Sequence, residues 1–98
     1  MVNQVDDADS NEKVVVYLPA HMRGQAADRS EVFAEPGSLM DIIMSVVQQF
    51  PDLESDLLRG IQERDIAIAI DELITENDPT TQVKAGSEIR LLPAIAGG

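Results

Sequence analysis

The feature of the sequence best suited to chemistry is its C-terminal end, Leu92-Pro93-Ala94-Ile95-Ala96-Gly97-Gly98. Its last two residues have no Cβ, so such a segment can pass through a narrow channel that larger side chains would block. It would present an α-carboxylate, a poor electrophile that ATP can activate as an acyl-adenylate. Displacement of AMP by sulfide or a persulfide would leave a thiocarboxylate. Taken alone, two terminal glycines also fit a frayed chain end.

Few other residues could support chemistry. The chain has no cysteine and one histidine, which excludes disulfides, thiolate metal sites, a thiol nucleophile and a His-based cluster. We interpret His21, in a predicted loop, as an exposed bystander. The neighbouring carboxylates are interpreted as a solvated acidic surface; they are Glu54, Asp56, Asp71 and Glu72. No dinucleotide-binding, P-loop or zinc-protease motif occurs.

Size and charge narrow the function further. A chain of 98 residues buries roughly 60–65% of its unfolded surface, which is enough for one modest core. Such a core leaves little room for a cofactor-filled cavity, so the size of the chain disfavours a self-sufficient enzyme. With 7 Lys and Arg against 18 Asp and Glu, the net charge of −11 excludes nucleic acid and anionic membranes as partners. The sequence favours a protein partner with a basic surface. No secretory signal or membrane-length apolar run occurs, so we expect a cytoplasmic protein.

The first half of the chain predicts two strands and one helix. Residues 13–18 form an apolar, β-branched run that predicts a central strand covered on both faces, followed by a loop over residues 19–28. Residues 29–35 predict a second strand with Val32 and Ala34 pointing inward.

The main helix is predicted from Ser38, its N-cap, to Phe50, before Pro51. Asp41 stands in the capping-box position, three residues after Ser38. An apolar stripe recurs at the 3.6-residue period through Leu39, Ile42, Ile43, Val46, Val47 and Phe50. Met40 and Met44 flank this stripe, and we interpret them as core filler.

The second half predicts a short helical turn at residues 52–60 and a strand at 65–70. A turn at Asp71-Glu72 leads to a short strand at 73–74, and a loop at 77–79 follows. Gly86 is predicted to turn the chain into the last strand, residues 88–92. This order predicts an α+β fold of the β-grasp (ubiquitin-like) type. It has a mixed sheet of four to five strands with parallel first and last strands at the centre, and one main helix on one face. A ferredoxin-like sandwich is the alternative, but it needs a second substantial helix.

We predict three segments: a disordered acidic leader at residues 1–12, the β-grasp domain at 13–92 and a flexible tail at 93–98. The domain and tail together resemble the ubiquitin-like sulfur carriers, which include the small subunit of molybdopterin synthase and the thiamine-pathway carrier. The resemblance lies in the first strand with Arg23 after it, the capped helix, and the closing run from Val83 to Gly98. The tail is most similar to that of carriers serving cysteine biosynthesis.

The resemblance implies that the chain is a substrate protein and not an enzyme. A ubiquitin-activating-type enzyme, which itself uses ATP and magnesium, would adenylate Gly98, and a cysteine synthase or a molybdopterin-synthase large subunit would accept the sulfur. The residues predicted to thread the partner's channel are Pro93, Ile95, Ala96 and Gly97. Those predicted to dock the partner are Arg23, Phe33, Arg90 and Leu92. No bound cofactor or metal is expected.

Three other functions remain open on the sequence. The chain could be the small subunit of a molybdopterin-synthase-like complex that inserts its tail into a larger subunit. It could be a protein modifier that forms isopeptide bonds through Gly98, or a plain interaction module whose Gly-Gly end is incidental.

Overall fold

Within residues 12–75 and 78–93, which the computed structural model describes, the strands form a five-stranded mixed sheet and a separate two-stranded ribbon. The elements are β1 (Val14–Tyr17), β2 (Glu31–Ala34), β3 (Gly37–Ser38), α1 (Leu39–Gln49), α2 (Glu54–Gln62), β4 (Ile66–Ile70), β5 (Leu73–Ile74), β6 (Gln82–Val83) and β7 (Glu88–Pro93). The large sheet has the order β2-β1-β7-β4-β5; β1 and β7 run parallel, and the other neighbours are antiparallel. The predicted β-grasp fold is therefore confirmed.

Strand β1 lies at the centre of the sheet, as predicted, between β2 and β7. Val14 and Val16 are fully buried, whereas Val15 and Tyr17 are only half-buried. The prediction that both faces of this strand are covered is therefore wrong. The buried side chains of the sheet join one core with those of α1, so the core lies on one face only. The continuous apolar run reflects the preference of β-branched and aromatic residues for strands.

Strand β2 confirms the predicted face assignment, because Val32 and Ala34 are buried and Phe33 points to the opposite face. The segment before it corrects a prediction: residues Ala20–Ala26 form a 3-10 helix and not an irregular loop. Met22 and Ala26, four residues apart on it, are both buried. A segment so short has too few apolar positions to show a helical period in the sequence, and its burial against the core defines it.

Helix α1 begins as predicted, with the Ser38 side-chain Oγ accepting a hydrogen bond from the Asp41 backbone N–H at 3.1 Å. Its apolar stripe is buried, which confirms the helix and its core face: Leu39, Ile42, Ile43, Val46 and Val47. The interpretation of Met40 and Met44 as core filler is wrong, because they are 44% and 36% exposed. They flank the apolar stripe of α1, outside the surface with which the helix packs against the sheet.

Strand β6 pairs with β3, and the sequence missed this ribbon because each strand has only two residues. The segment before β6 completes the N-terminus of α1. The backbone N–H of Leu39 donates to the carbonyl of Thr81 at 2.8 Å, and that of Met40 donates to the carbonyl of Pro79 at 3.0 Å. Two helix-terminal amides that lack partners within the helix are thereby satisfied.

Helix α2 begins and ends two residues later than the predicted turn at residues 52–60: a 3-10 turn at Pro51–Leu53 leads into an α-helix that ends at Gln62. Gly60 therefore lies inside the helix and does not end it. It is buried where α2 approaches β4, and a Cβ at this position would clash with Cδ1 of Ile66 and lie 2.7 Å from its Cγ1. Glycine at residue 60 permits this close contact.

Gly60→Ala is expected to destabilise the domain by about 1–3 kcal/mol, because the added methyl group overpacks the contact with Ile66. Gly24→Ala is the matched control, since nothing lies within 4 Å of a Cβ at Gly24. Urea denaturation of the two variants measures the difference. Equal midpoints for the two variants would show that the contact between α2 and β4 relaxes without cost.

The turn at Asp71-Glu72 is confirmed as a two-residue hairpin between β4 and β5, with Ile70 opposite Leu73. Both turn residues have positive φ, 51° and 74°, as the central residues of a type I′ turn do. The Asp71 side chain accepts a hydrogen bond from the backbone N–H of Glu88 at 2.9 Å, and its own N–H donates to the carbonyl of Glu88 at 2.8 Å. Asp71 therefore ties the hairpin to the start of β7.

Candidate functional site

The candidate site is the C-terminal end of β7, where the predicted tail begins. This strand pairs with β1 on one side and with β4 on the other, where Pro93 lies opposite Ile66. The pairing with β1 ends at Arg90, so the last residues of β7, from Leu91 to Pro93, are paired with β4 alone. The predicted threading residues Ile95, Ala96 and Gly97 and the predicted reactive residue Gly98 lie outside the described residues, as does the leader up to residue 11.

Arg90 stands near the end of β7 and is held by two contacts. Its guanidinium carbon lies 4.6 Å from the centre of the Tyr17 ring, a cation–π distance, and Tyr17 is its cross-strand neighbour on β1. The Nη2 of Arg90 also donates to Oε1 of Glu88 at 3.2 Å. The Arg90 side chain is thus fixed on the face of the sheet opposite the core.

Arg23 approaches the same place from the 3-10 helix. Its Nε donates to the backbone carbonyl of Leu18 at 3.2 Å. Arg23 and Arg90 border one groove of about 260 Å³, together with Leu92 and Pro93. The structure therefore brings together three of the four predicted docking residues, beside the first residue of the predicted tail. In a chain of net charge −11, two arginines therefore lie together at this place, one of them paired with Glu88.

Phe33, the fourth predicted docking residue, lies away from this groove. It is half-buried on β2 and stands opposite Val15, on the same face of the sheet as Tyr17 and Arg90. We call the face that carries Val15, Tyr17, Phe33, Arg90 and Leu92 the open sheet face. Leu92 is 38% exposed on it.

Sequence reasoning missed Tyr17 and Ile74 on this face. Ile74 stands opposite Ala69, which is the cross-strand neighbour of Arg90, and it is 71% exposed. The sequence did contain a signal for Tyr17, because successive side chains of a strand point to opposite faces of the sheet. If only one face of β1 is buried and Val16 lies on it, Tyr17 must lie on the other face.

His21 lies beside a second groove near the tail, of about 390 Å³, which Asp56, Arg59 and Pro93 also line. Arg59 is paired with Asp56 at 3.1 Å. Across residues 12–75 and 78–93, no group of three or more His, Asp or Glu side chains is arranged to hold a metal ion. The described part of the chain thus places two arginines beside Pro93, its last described residue.

Comparison with known proteins assigns the chain to a family. The model of the ThiS family matches residues 16–98, so the chain belongs to the ThiS family of ubiquitin-like sulfur carriers. The predicted resemblance is therefore confirmed. No curated protein matches the sequence significantly.

Solved structures share the fold at low sequence identity. A chain in the crystal structure of the BexX/CysO complex of Amycolatopsis orientalis is 24% identical, with a TM-score of 0.74 over 87% of this chain and 99% of that chain. The small archaeal modifier protein 1 of Methanosarcina acetivorans is also 24% identical, with a TM-score of 0.71 over 88% of this chain and 96% of that one. A chain in the complex of subunits 1 and 2 of the Helicobacter pylori molybdopterin-converting factor is 22% identical, with a TM-score of 0.59 over 88% and 99%.

The helices in the described part of the chain are too short or too polar to cross a membrane. The family and the fold together define a ubiquitin-like carrier or modifier domain.

Proposed function

We propose that the chain is a sulfur carrier whose C-terminal carboxylate, on Gly98, becomes a thiocarboxylate. The carboxylate attacks the α-phosphorus of ATP and releases pyrophosphate, which gives an acyl-adenylate. Sulfide then attacks the acyl carbon and AMP leaves with the oxygen, so that one oxygen is exchanged for sulfur. A partner enzyme of the ubiquitin-activating type binds the ATP and magnesium, and this exchange takes place in the cytoplasm.

The observation that carries this proposal is the pairing of β7 with β1 through Arg90 and with β4 through Pro93, in a chain that belongs to the ThiS family. The tail must start from a fixed strand because the carboxylate has to reach a defined depth in the channel of the partner enzyme. The five residues from Ala94 to Gly98 span at most about 18 Å when extended. The chain therefore positions the Gly98 carboxylate, and the partner enzyme supplies the catalytic groups.

We further propose that the partners dock on the groove of Arg23 and Arg90 and on the adjoining open sheet face. Apolar side chains next to a fixed arginine are typical of the centre of a protein interface. The sulfur then passes to an accepting enzyme, for which a cysteine synthase and a molybdopterin-synthase large subunit are the two candidates. The complexes of similar fold from Amycolatopsis orientalis and Helicobacter pylori support a carrier that works by assembling with another protein.

Pyrophosphate exchange with an activating enzyme tests the first step. We expect the intact chain to stimulate ATP–pyrophosphate exchange in a saturable way, because adenylation of a carboxylate is reversible. A modifier would also pass this step but would then appear in conjugates of higher mass on target lysines. Absence of exchange with every activating enzyme of the source organism would contradict the proposal.

Arg90→Ala is expected to raise the KM of the activating enzyme for this chain about tenfold, since a hydrogen bond to a charged group contributes roughly 1.5 kcal/mol. Lys84→Ala removes the same charge from an exposed position before the start of β7, at the opposite end of the strand from Pro93, and is the matched control. Thermal melting of both variants checks that the fold is intact. Equal KM values for the two variants would exclude Arg90 from the docking surface.

A further inference from the structure

A second apolar surface lies on the helix side of the domain, away from the open sheet face. It is a groove of about 290 Å³ between α1, α2 and β4. Its lining includes Met40, Met44, Leu58, Ile61, Ile68 and Pro79. Both methionines have substantial exposure, at 44% and 36%, although they are large apolar side chains. Methionine adapts its shape to different partners, and exposed apolar grooves of this kind mark interaction sites.

The face of the sheet that carries Ile68 continues onto the β4–β5 hairpin. Ile70 points to the same face of β4 as Ile68, and Leu73 stands directly opposite Ile70. Leu73 is 74% exposed, so it adds a large uncovered side chain on this face. We call the whole surface, from Met44 across Ile68 to Leu73, the helix-side groove.

Exposed acidic residues adjoin the groove in the chain. Asp78 precedes Pro79 and Glu54 lies one helical turn before Leu58, both of which line the groove, and Glu72 precedes Leu73. Hydrogen bonds from the backbone N–H and the hydroxyl of Thr80 lower the pKa of Asp78, which keeps this carboxylate charged.

Two bases lie on or just after α2. Arg64 follows the acidic Glu63, so these two neighbours add no net charge. Arg59 does not offset the acidic border either. It lines the groove on the other side of α2, beside His21 and Pro93, and is paired there with Asp56. The helix-side groove therefore combines an apolar floor with a negative border.

We propose that the helix-side groove docks a basic amphipathic helix of a partner protein, at a site separate from the tail and the open sheet face. A helix that presents apolar side chains at i, i+3, i+4 and i+7 fits an apolar groove, and lysines or arginines on its flanks would meet the acidic border. Charge argues against two other occupants. A second copy of this chain also carries −11, and the leader brings further acids, Asp6, Asp7 and Asp9.

NMR of the chain labelled with ¹³C at its methionine methyl groups tests the proposal directly. Two three-turn synthetic amphipathic helices serve as probes, one of Leu and Lys and one of Leu and Glu. We expect the Lys peptide to shift the methyl signals of Met40 and Met44 in a saturable way that weakens with added salt. Met22, which is 1% exposed in the core, is the internal control. The Glu peptide should cause no saturable shift.

A matched pair of variants tests the location. Leu73 and Ile74 are neighbours with similar exposure, 74% and 71%, but they point to opposite faces of the sheet. Leu73→Gln should weaken binding of the Lys peptide about tenfold, and Ile74→Gln less than about twofold. Deletion of Gly98 should leave the affinity unchanged, so failure here is distinct from failure of the carrier proposal. No saturable shift, or equal losses in the two variants, would overturn the helix-side groove as a docking site.

Discussion

Replacing Ile42 with Asp is expected to unfold the domain or to destabilise it by several kcal/mol. Ile42 is fully buried in the core between α1 and the sheet. An aspartate there has no partner for its charge, and burying an unpaired carboxylate costs an amount comparable to the entire stability of a small domain. Circular dichroism during thermal melting measures the effect.

The matched control is Met40→Asp, two residues earlier on the same helix. Met40 is 44% exposed and lies in the first turn of α1, where a negative charge interacts favourably with the helix dipole. This variant should melt close to the wild type. If Ile42→Asp also melted close to the wild type, the result would contradict the burial of Ile42 between α1 and the sheet.

Deleting Gly98 is expected to abolish adenylation and sulfur loading while leaving the melting temperature nearly unchanged. The reacting carboxylate would move back by one residue, about 3.3–3.6 Å of chain. A misplacement of about 1 Å can already reduce a rate on the order of a hundredfold. Glycine has no side chain to pack, so its loss should cost the fold little. Pyrophosphate exchange and thermal melting measure the two effects on the same sample.

Gly98→Ala separates the effect of the carboxylate position from the effect of side-chain size. The carboxylate keeps its place along the chain, but a methyl group enters a channel expected to accept only glycine. We expect partial loss of loading in this variant and nearly complete loss on deletion. If the truncated chain were loaded as well as the full-length chain, the carrier function would fail and a plain interaction module would be the better interpretation.

Local patterns in the sequence were sufficient to predict the fold. The capped, amphipathic helix from Ser38 and the breaking Pro51 predicted α1 within a residue, because both signals act over a single turn. The parallel pairing of β1 and β7 followed from the number and order of the elements. Exposure was harder to predict, because it depends on how far α1 reaches across the sheet, and Met40 and Met44 lie just beyond that contact.

The missed elements share a physical cause. The 3-10 helix at Ala20–Ala26 and the β3–β6 ribbon are too short for a periodic pattern, and each is defined by contacts with distant parts of the chain. The same holds in the candidate site. Arg90 was predicted from its place in the closing run, whereas its contact with the Tyr17 ring depends on the parallel register of β1 and β7.

The intact mass of the chain, measured after incubation with its activating enzyme, ATP, magnesium and sulfide, shows whether the chain carries sulfur. We expect the replacement of one oxygen by sulfur, located on Gly98 by fragmentation and absent when ATP is omitted. A chain that is adenylated but never gains sulfur, or that is recovered only as conjugates to lysines of other proteins, would contradict the carrier proposal.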